Sequence, residues 1–484
     1  MEYIENKELE KQEVKSIFTD MIKYAPSKLC GMLGNVITVP IYTSLFTTEQ
    51  YGLYTISIAM LSFLCIIFSD WVGLSGLRFF RHHQISEDLP KYLTTLVAIL
   101  TLNMVLMFGI SFIFKDNLYN FFHVPFKYFL AVLVLIIPVA IRALLSQLLR
   151  AQLKPVSYTL TTIVNQFATI FLAVFFAKFF NLGAASILLG MGVSISLIDI
   201  LLLYQSEILK VFKLQKIEWK FILPIIKYGI PIAATSLSAW LITQSNKFIM
   251  NGISGFSKAA LVGVGYGLTL PILMTLFAMI TVAAIPRIIN LYEAKIDVRP
   301  IISKFLGYYI LVALPVITVM SIYNVEYTHL FTNSKFYEAS ILVPYFAFGV
   351  FFLSMTDYTT LQYHLANKTH IEFVIKLVSG IFGIILNIIL IPKMGLAGVG
   401  LATFLANFLY FLLSIIIVLP NLNLYFPKYT VLRIILSAIP TGIVFLLLLK
   451  YGASIPGIIQ MTGILAIFYV FYFIIRKRVL KIPD

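Results

Sequence analysis

Six ionisable side chains fall inside long apolar runs: Lys28, Asp70, Arg142, Asp199, Asp357 and Lys376. A charged group in hydrocarbon is costly, so such residues usually face one another or a hydrated cavity. Arg142 offers a planar guanidinium fork that can hold an oxyanion through two hydrogen bonds, whereas Lys28 and Lys376 carry mobile point charges. Asp70, Asp199 and Asp357 could carry a proton or sodium ion, or hold the cations in place. A simpler role is open too, because Lys28 and Lys376 lie a turn or two from the ends of their runs and could snorkel to the headgroups. The six His and two Cys show no metal-ligand spacing, and neither a catalytic triad nor a G-x-x-x-x-G-K-[ST] phosphate cradle occurs. The expectation is therefore a non-enzyme without cofactor or metal, whose charges handle a ligand rather than break its bonds.

These residues must be positioned by membrane helices. Hydrophobic residues make up 60% of the 484 and charged ones only 12%; a soluble domain is about 25% charged. At roughly 20 apolar residues per span, the chain reads as about fourteen helices, near 23–46, 51–76, 92–114, 128–148, 157–178, 184–205, 226–247, 259–285, 304–323, 339–361, 371–391, 396–418, 432–449 and 456–475. With the N-terminus inside, about 24 Lys and Arg fall on the cytoplasmic side against about 8 outside, the bias that orients membrane proteins. The net charge of +15 is thus assigned to topology and not to nucleic acid. The segment 1–20 alternates acidic and basic residues and reads as a cytoplasmic tail, not a cleavable signal. Prolines inside spans, among them Pro138, Pro231, Pro315 and Pro440, would bend helices around a cavity or reflect ordinary membrane usage. Amides such as Asn165, Gln166, Asn246, Asn387 and Asn407 would bond neighbouring helices or line a polar path.

The chain also resembles itself at a period of roughly 204–214 residues. Ile22-Lys23-Tyr24-Ala25-Pro26 is echoed by Ile226-Lys227-Tyr228-Gly229-Ile230-Pro231. Gln152-Leu153-Lys154-Pro155 is echoed by Ala366-Asn367-Lys368-Thr369, and Leu182-Gly183-Ala184-Ala185 by Met394-Gly395-Leu396-Ala397. Six spans per copy give both copies one orientation. The expected architecture is all-α: two pseudo-symmetric six-helix bundles, 21–206 and 222–419, two additional helices in 430–475 and a basic cytoplasmic tail, 476–484. Transporters built this way place their substrate between the halves and rock one against the other.

Several stretches resemble the polysaccharide-transporter branch of the multidrug/oligosaccharidyl-lipid/polysaccharide exporter superfamily, the Wzx-type repeat-unit flippases. They are Tyr51-Gly52-Leu53-Tyr54, Gly73 through Phe80, Trp240 with Asn246-Lys247-Phe248-Ile249, and Asn387 through Gly395 continuing to Gly398 and Gly400. Where relatives commonly carry an acidic residue followed by Arg, this chain has Asn246-Lys247. The resemblance implies an undecaprenyl-diphosphate-linked oligosaccharide as cargo for O-antigen or related polymers, an ion gradient (H+ or Na+) as the drive, and a bacterial inner-membrane location with both termini cytoplasmic. Membrane lipids and a polysaccharide polymerase machinery are the implied partners. On that reading Arg142 is the first candidate for the diphosphate, Lys28 and Lys376 follow, and the three aspartates are coupling or counter-charge residues. The alternative within the superfamily is an ion-coupled multidrug exporter, which would prefer a net negative cavity. A membrane glycosyltransferase or polymerase would need a large external loop, and the longest here, near 115–127 and 324–338, are short.

Overall fold

The computed structural model describes residues 29–206, 208–211, 217–419, 427–451 and 457–478. In chain order the helices are α1 (Leu29–Leu45), α2 (Thr48–Cys65), a π-helical turn (Ile66–Asp70), α3 (Trp71–Ile85), α4 (Leu89–Ile113), α5 (Lys115–Phe122), α6 (Phe126–Ala151), α7 (Pro155–Phe180) and α8 (Ala185–Ser206). There follow α9 (Ile208–Val211), α10 (Trp219–Glu293), α11 (Arg299–Ile322), α12 (Asn324–Phe331), a 3-10 turn (Ser334–Ile341), α13 (Leu342–Leu365), α14 (Thr369–Met394), α15 (Leu396–Ile416), α16 (Lys428–Tyr451) and α17 (Gly457–Arg478). No strand occurs among the described residues.

Twelve of the helices are long and apolar enough to cross a membrane. One of them, Trp219–Thr281, is 63 residues long and is broken at Gly255, whose φ of 79° and ψ of 176° suit glycine almost alone. Counting its two halves separately, and adding the shorter apolar α1, gives the fourteen spans expected. The loop expected at 248–258 is absent, because helix runs to Gly255 and resumes directly after it. Just beyond the break the backbone of Phe256 is so close to Gly52 that any side chain there would strike its carbonyl.

A bilayer is also required by what the helices leave uncovered. Phe167, Phe171, Phe175 and Phe179 repeat every four residues along α7 and are all exposed. Leu102, Val105, Leu106 and Ile113 are likewise exposed along α4. Apolar stripes of this length are not tolerated in water and are ordinary against lipid.

The contacts group the chain into two compact units, Ile41–Gly263 and Met1–Pro40 with Val264–Asp484. In the first unit the early part of α10 is fastened to α2 by Trp240, whose Nε1 donates to Ala59 O at 3.2 Å and Ser62 Oγ at 3.0 Å. In the second, a core of α10, α11, α13, α16 and α17 residues centres on Phe305, Tyr309, Phe351 and Tyr358.

The sequence period is written into the turns. Leu153 and Asn367 both have left-handed backbones, φ 57° and 56°, as do Gly183 and Gly395, and Glu87 and Lys295. The hydrogen bonds around the first two coincide as well. Gln152, Leu153 and Lys154 donate N–H to Leu148, Arg150 and Leu149; Ala366, Asn367 and Lys368 donate to Gln362, His364 and Tyr363. Short helices α5 and α12 follow α4 and α11 in the same way. Two copies of one six-helix pattern, with α16 and α17 added, therefore make up the fold.

Candidate functional site

In the first unit α6 and α8 run in parallel, and their register brings two of the in-span charges together. The Cβ position of Gly192 on α8 lies 3.3 Å from Leu135 Cδ1 on α6. Two turns further along each helix stand Asp199 and Arg142. Closer to the helix ends, Gln152 Nε2 donates to Ser206 O at 2.8 Å, so the two helices stay side by side to their ends. Asp199 and Arg142 act on one another electrostatically, and Tyr158 of α7 acts on Arg142. Asp199 is only 5% exposed. Both of its carboxylate oxygens and Arg142 Nη1 are buried with no hydrogen-bond partner. Arg142 is thus a cation inside the protein with donor capacity unused. At the ends of α3, α6 and α8 opens a cleft of about 660 Å³, lined by Arg81, Gln84, Gln152, Lys154 and Ser206 together with apolar residues.

The second unit contains a different arrangement. Lys376 Nζ donates to Glu372 Oε1 at 2.5 Å, one turn away on α14. Glu372 Oε2 also meets His364 Nε2 of α13 at 2.7 Å, and Tyr410 of α15 donates to Glu372 Oε1 at 3.3 Å. The ammonium of Lys376 lies over the Tyr410 ring, 5.7 Å from its centroid. Asp357 feels the charges of Lys376, Glu372 and His364. A single buried carboxylate, Glu372, therefore ties three helices together and neutralises Lys376.

Of the remaining candidates, Asp70 ends the π-helical turn and accepts from Ser69 Oγ at 3.2 Å; no ion pair joins it to Arg142 among the described residues. Lys28 lies outside the described residues. Three buried polar groups escaped the in-span charges singled out from sequence. Glu372 sits in the first turn of α14 and is only the second residue of the expected span 371–391. Arg433 is 1% exposed although it is only the second residue of the expected span 432–449. Lys247, in the Asn246-Lys247 motif, donates to Gln244 Oε1 at 2.6 Å on α10. The signal in each case was a charge at the very end of an expected span, 226–247, 371–391 or 432–449.

Outside the spans, Glu218 bridges two cations just before α10. Lys91 Nζ meets its Oε1 and Lys220 Nζ its Oε2, both at 2.9 Å. These bonds, that of Lys91 foremost, pull the Glu218 carboxyl down to about 2. Beside them His83 Nδ1 lies 2.8 Å from Asp88 Oδ1 and its ring stacks on Tyr92 at 4.2 Å.

Membrane-spanning helices in two matching sets of six, with charges inside them, define a multi-pass membrane protein. Residues 19–292 match the family described as polysaccharide biosynthesis protein. Because that match spans more than half of the sequence, the chain belongs to this family. Among solved structures it is similar to the lipid II flippase MurJ in an inward closed conformation, with a TM-score of 0.73 and 16% identity, covering 95% of this chain and 98% of that one. It is also similar to an inward-facing multidrug resistance MATE family transporter of the MOP superfamily, with a TM-score of 0.63 and 12% identity over 81% of this chain and 96% of that one. A MATE protein in a straight conformation gives 0.53 and 13% over 82% and 94%. At these identities the structural likeness concerns the fold. No curated protein sequence matches the chain.

Proposed function

We propose that this protein flips undecaprenyl-diphosphate-linked oligosaccharide repeat units across the bacterial inner membrane by alternating access, for surface polysaccharide synthesis of the O-antigen type. The observation that carries the reading is Arg142, half-buried with its Nη1 enclosed and an unused donor, in a chain of the polysaccharide biosynthesis family. A diphosphate needs a cation with free donors in a site shielded from water, and arginine serves this geometry better than lysine. Lys376 ranks behind Arg142 because Glu372 already holds it, and Lys28 completes the set of cations in this reading. Asp199 and Asp357 are the counter-charge or coupling residues, with Asp70 as a third, and H+ or Na+ is the coupling ion. Both termini face the cytoplasm, and the external product passes to a polymerase machinery. Arg81 and Lys154 on the rim of the cleft suit an anionic cargo approaching from the cytoplasmic leaflet.

The test is a deletion strain scored for surface polysaccharide and for lipid-linked repeat units, complemented with wild type and variants. Loss of polymer with full-length units held on the cytoplasmic leaflet is the expected result. Arg142→Ala should fail to restore polymer at normal abundance, and Arg142→Lys should restore part of it, since charge survives but the bidentate fork does not. Unchanged polymer together with new drug sensitivity would make the protein an ion-coupled multidrug exporter of the same superfamily.

A further inference from the structure

Arg142 and Asp199 occupy one level of two parallel helices, yet no hydrogen bond or ion pair closes the gap between them. Buried polar atoms are nearly always paired, and three unpaired ones at one place mark a site with a purpose or an occupant. Arg142 has a spare donor on Nη1, and Asp199 has two spare acceptor oxygens. Their charges cancel at a distance, which makes the arrangement tolerable while leaving the bonding capacity of both open. Among the described residues the surroundings supply no substitute counter-charge. From α7 only Tyr158 acts on Arg142, and α3 presents Gly73 and Gly76 to α6. Among the described residues, no other titratable group acts on Asp199.

We infer that Asp199 is a displaceable counter-ion: when a diphosphate takes Arg142, Asp199 accepts one proton from solvent and stays neutral while the anion is bound. This rests on the assignment of Arg142 to the diphosphate and adds a regulatory consequence to it. The balance is simple. Before binding, the guanidinium cation and the carboxylate anion offset each other. The arriving dianion engages the guanidinium, and a carboxylate left ionised beside it would face like charge in a buried place. One proton moves to a carboxylate oxygen, forming an O–H bond, and no other bond changes. On release of the cargo the proton leaves and the Arg142–Asp199 balance is restored. Cargo binding at this site is therefore tighter at lower pH.

The experiment uses the full-length protein in detergent and geranyl-diphosphate glucose as probe, a diester whose two negative charges do not titrate near neutral pH. Calorimetry in buffers of different ionisation enthalpy counts the protons taken up on binding. Uptake on the order of one proton per probe is expected, with affinity rising by up to about tenfold per unit fall in pH. Asp199→Asn should bind with no uptake and a flat pH profile, and Asp199→Glu should restore the uptake. Arg142→Ala should lose binding. Wild-type binding without uptake, or an Asp199→Asn profile as steep as wild type, overturns the counter-ion role and leaves Arg142 as the diphosphate ligand. Equal binding by Arg142→Ala and wild type, or no binding by wild type at all, removes the phosphate role of Arg142 and the coupling with it.

Discussion

A carboxylate that holds three partners across three helices does more for the structure than one exposed ion pair. Glu372 is 5% exposed and joins Lys376, His364 and Tyr410. Its removal leaves the Lys376 ammonium, itself largely buried, without its counter-charge. Removing one partner of such a pair costs about 3–5 kcal/mol in soluble proteins. The half-exposed His364 contributes little of that, because solvent screens it. Glu372→Ala is therefore expected to lower the thermal midpoint of the purified protein, and adding Lys376→Met should recover most of the loss. If the single variant is as stable as wild type, the Lys376 charge has found water, and the three-helix tie is not what holds this end of the unit. The comparison also separates structure from transport, since the double variant removes a candidate cation while keeping the fold.

At the scale of the element, the break at Gly255 decides how α10 is used. A non-glycine residue forced to its dihedrals would bear strain of about 1–3 kcal/mol. Gly252 is a suitable control: it lies in regular helix with open space where a Cβ would go, so alanine there should be neutral or stabilising by up to about 1 kcal/mol. Thermal unfolding of Gly255→Ala and Gly252→Ala in detergent should shift in opposite directions or differ plainly; equal midpoints would mean that the break adapts to a side chain. A second element-level device is the Glu218 bridge from the start of α10 to Lys91 on α4. Its carboxyl is held down at about 2, against about 4.3 in an unfolded chain. The sign is that of a depressed acid. The bridge stabilises fully above the unfolded value, and its contribution is lost as pH falls from there through about 2. Between neutral pH and about pH 3 the wild type should lose more thermal stability than Glu218→Gln; parallel losses would show the bridge to be inert. Such features also show what the sequence could reveal. The spans, the repeat and the in-span Arg142, Asp199 and Lys376 were legible, because apolar length and a charge within it are local signals. The pairing of Arg142 with Asp199 was not, since it depends on the register of α6 on α8. Glu372 was passed over because it is the second residue of its expected span, where a charge reads as interfacial, and the Gly255 break because Asn251, Gly252, Ser254 and Gly255 together read as a turn. The π-helical turn at Ile66–Asp70 leaves no mark in composition or periodicity.

For the whole molecule, the break and the repeat together dictate sidedness. A continuous helix over Trp219–Thr281, 63 residues, would be about 95 Å long, roughly three times the hydrocarbon thickness of a bilayer. It must cross twice, reversing at Gly255. Six crossings then separate the matching turns at Glu87 and Lys295, which places them on one side of the membrane. The connections after α4 and α11, which carry the short helices α5 and α12, fall on the other. The surplus of Lys and Arg on the first side is the bias expected of a cytoplasmic face. Single cysteines introduced after replacing Cys30 and Cys65 can test this directly. In intact spheroplasts an impermeant maleimide should label Lys115→Cys and Lys335→Cys, and should reach Glu87→Cys and Lys295→Cys only after lysis. Labelling of Lys295→Cys but not Glu87→Cys in intact cells would mean that α10 crosses an odd number of times. The two copies of the pattern would then be inverted with respect to each other, and alternating access built on parallel copies would have to be abandoned. Accessibility of all four positions from the expected sides would fix the direction from which the proposed lipid-linked cargo meets Arg142, and so which leaflet would supply it.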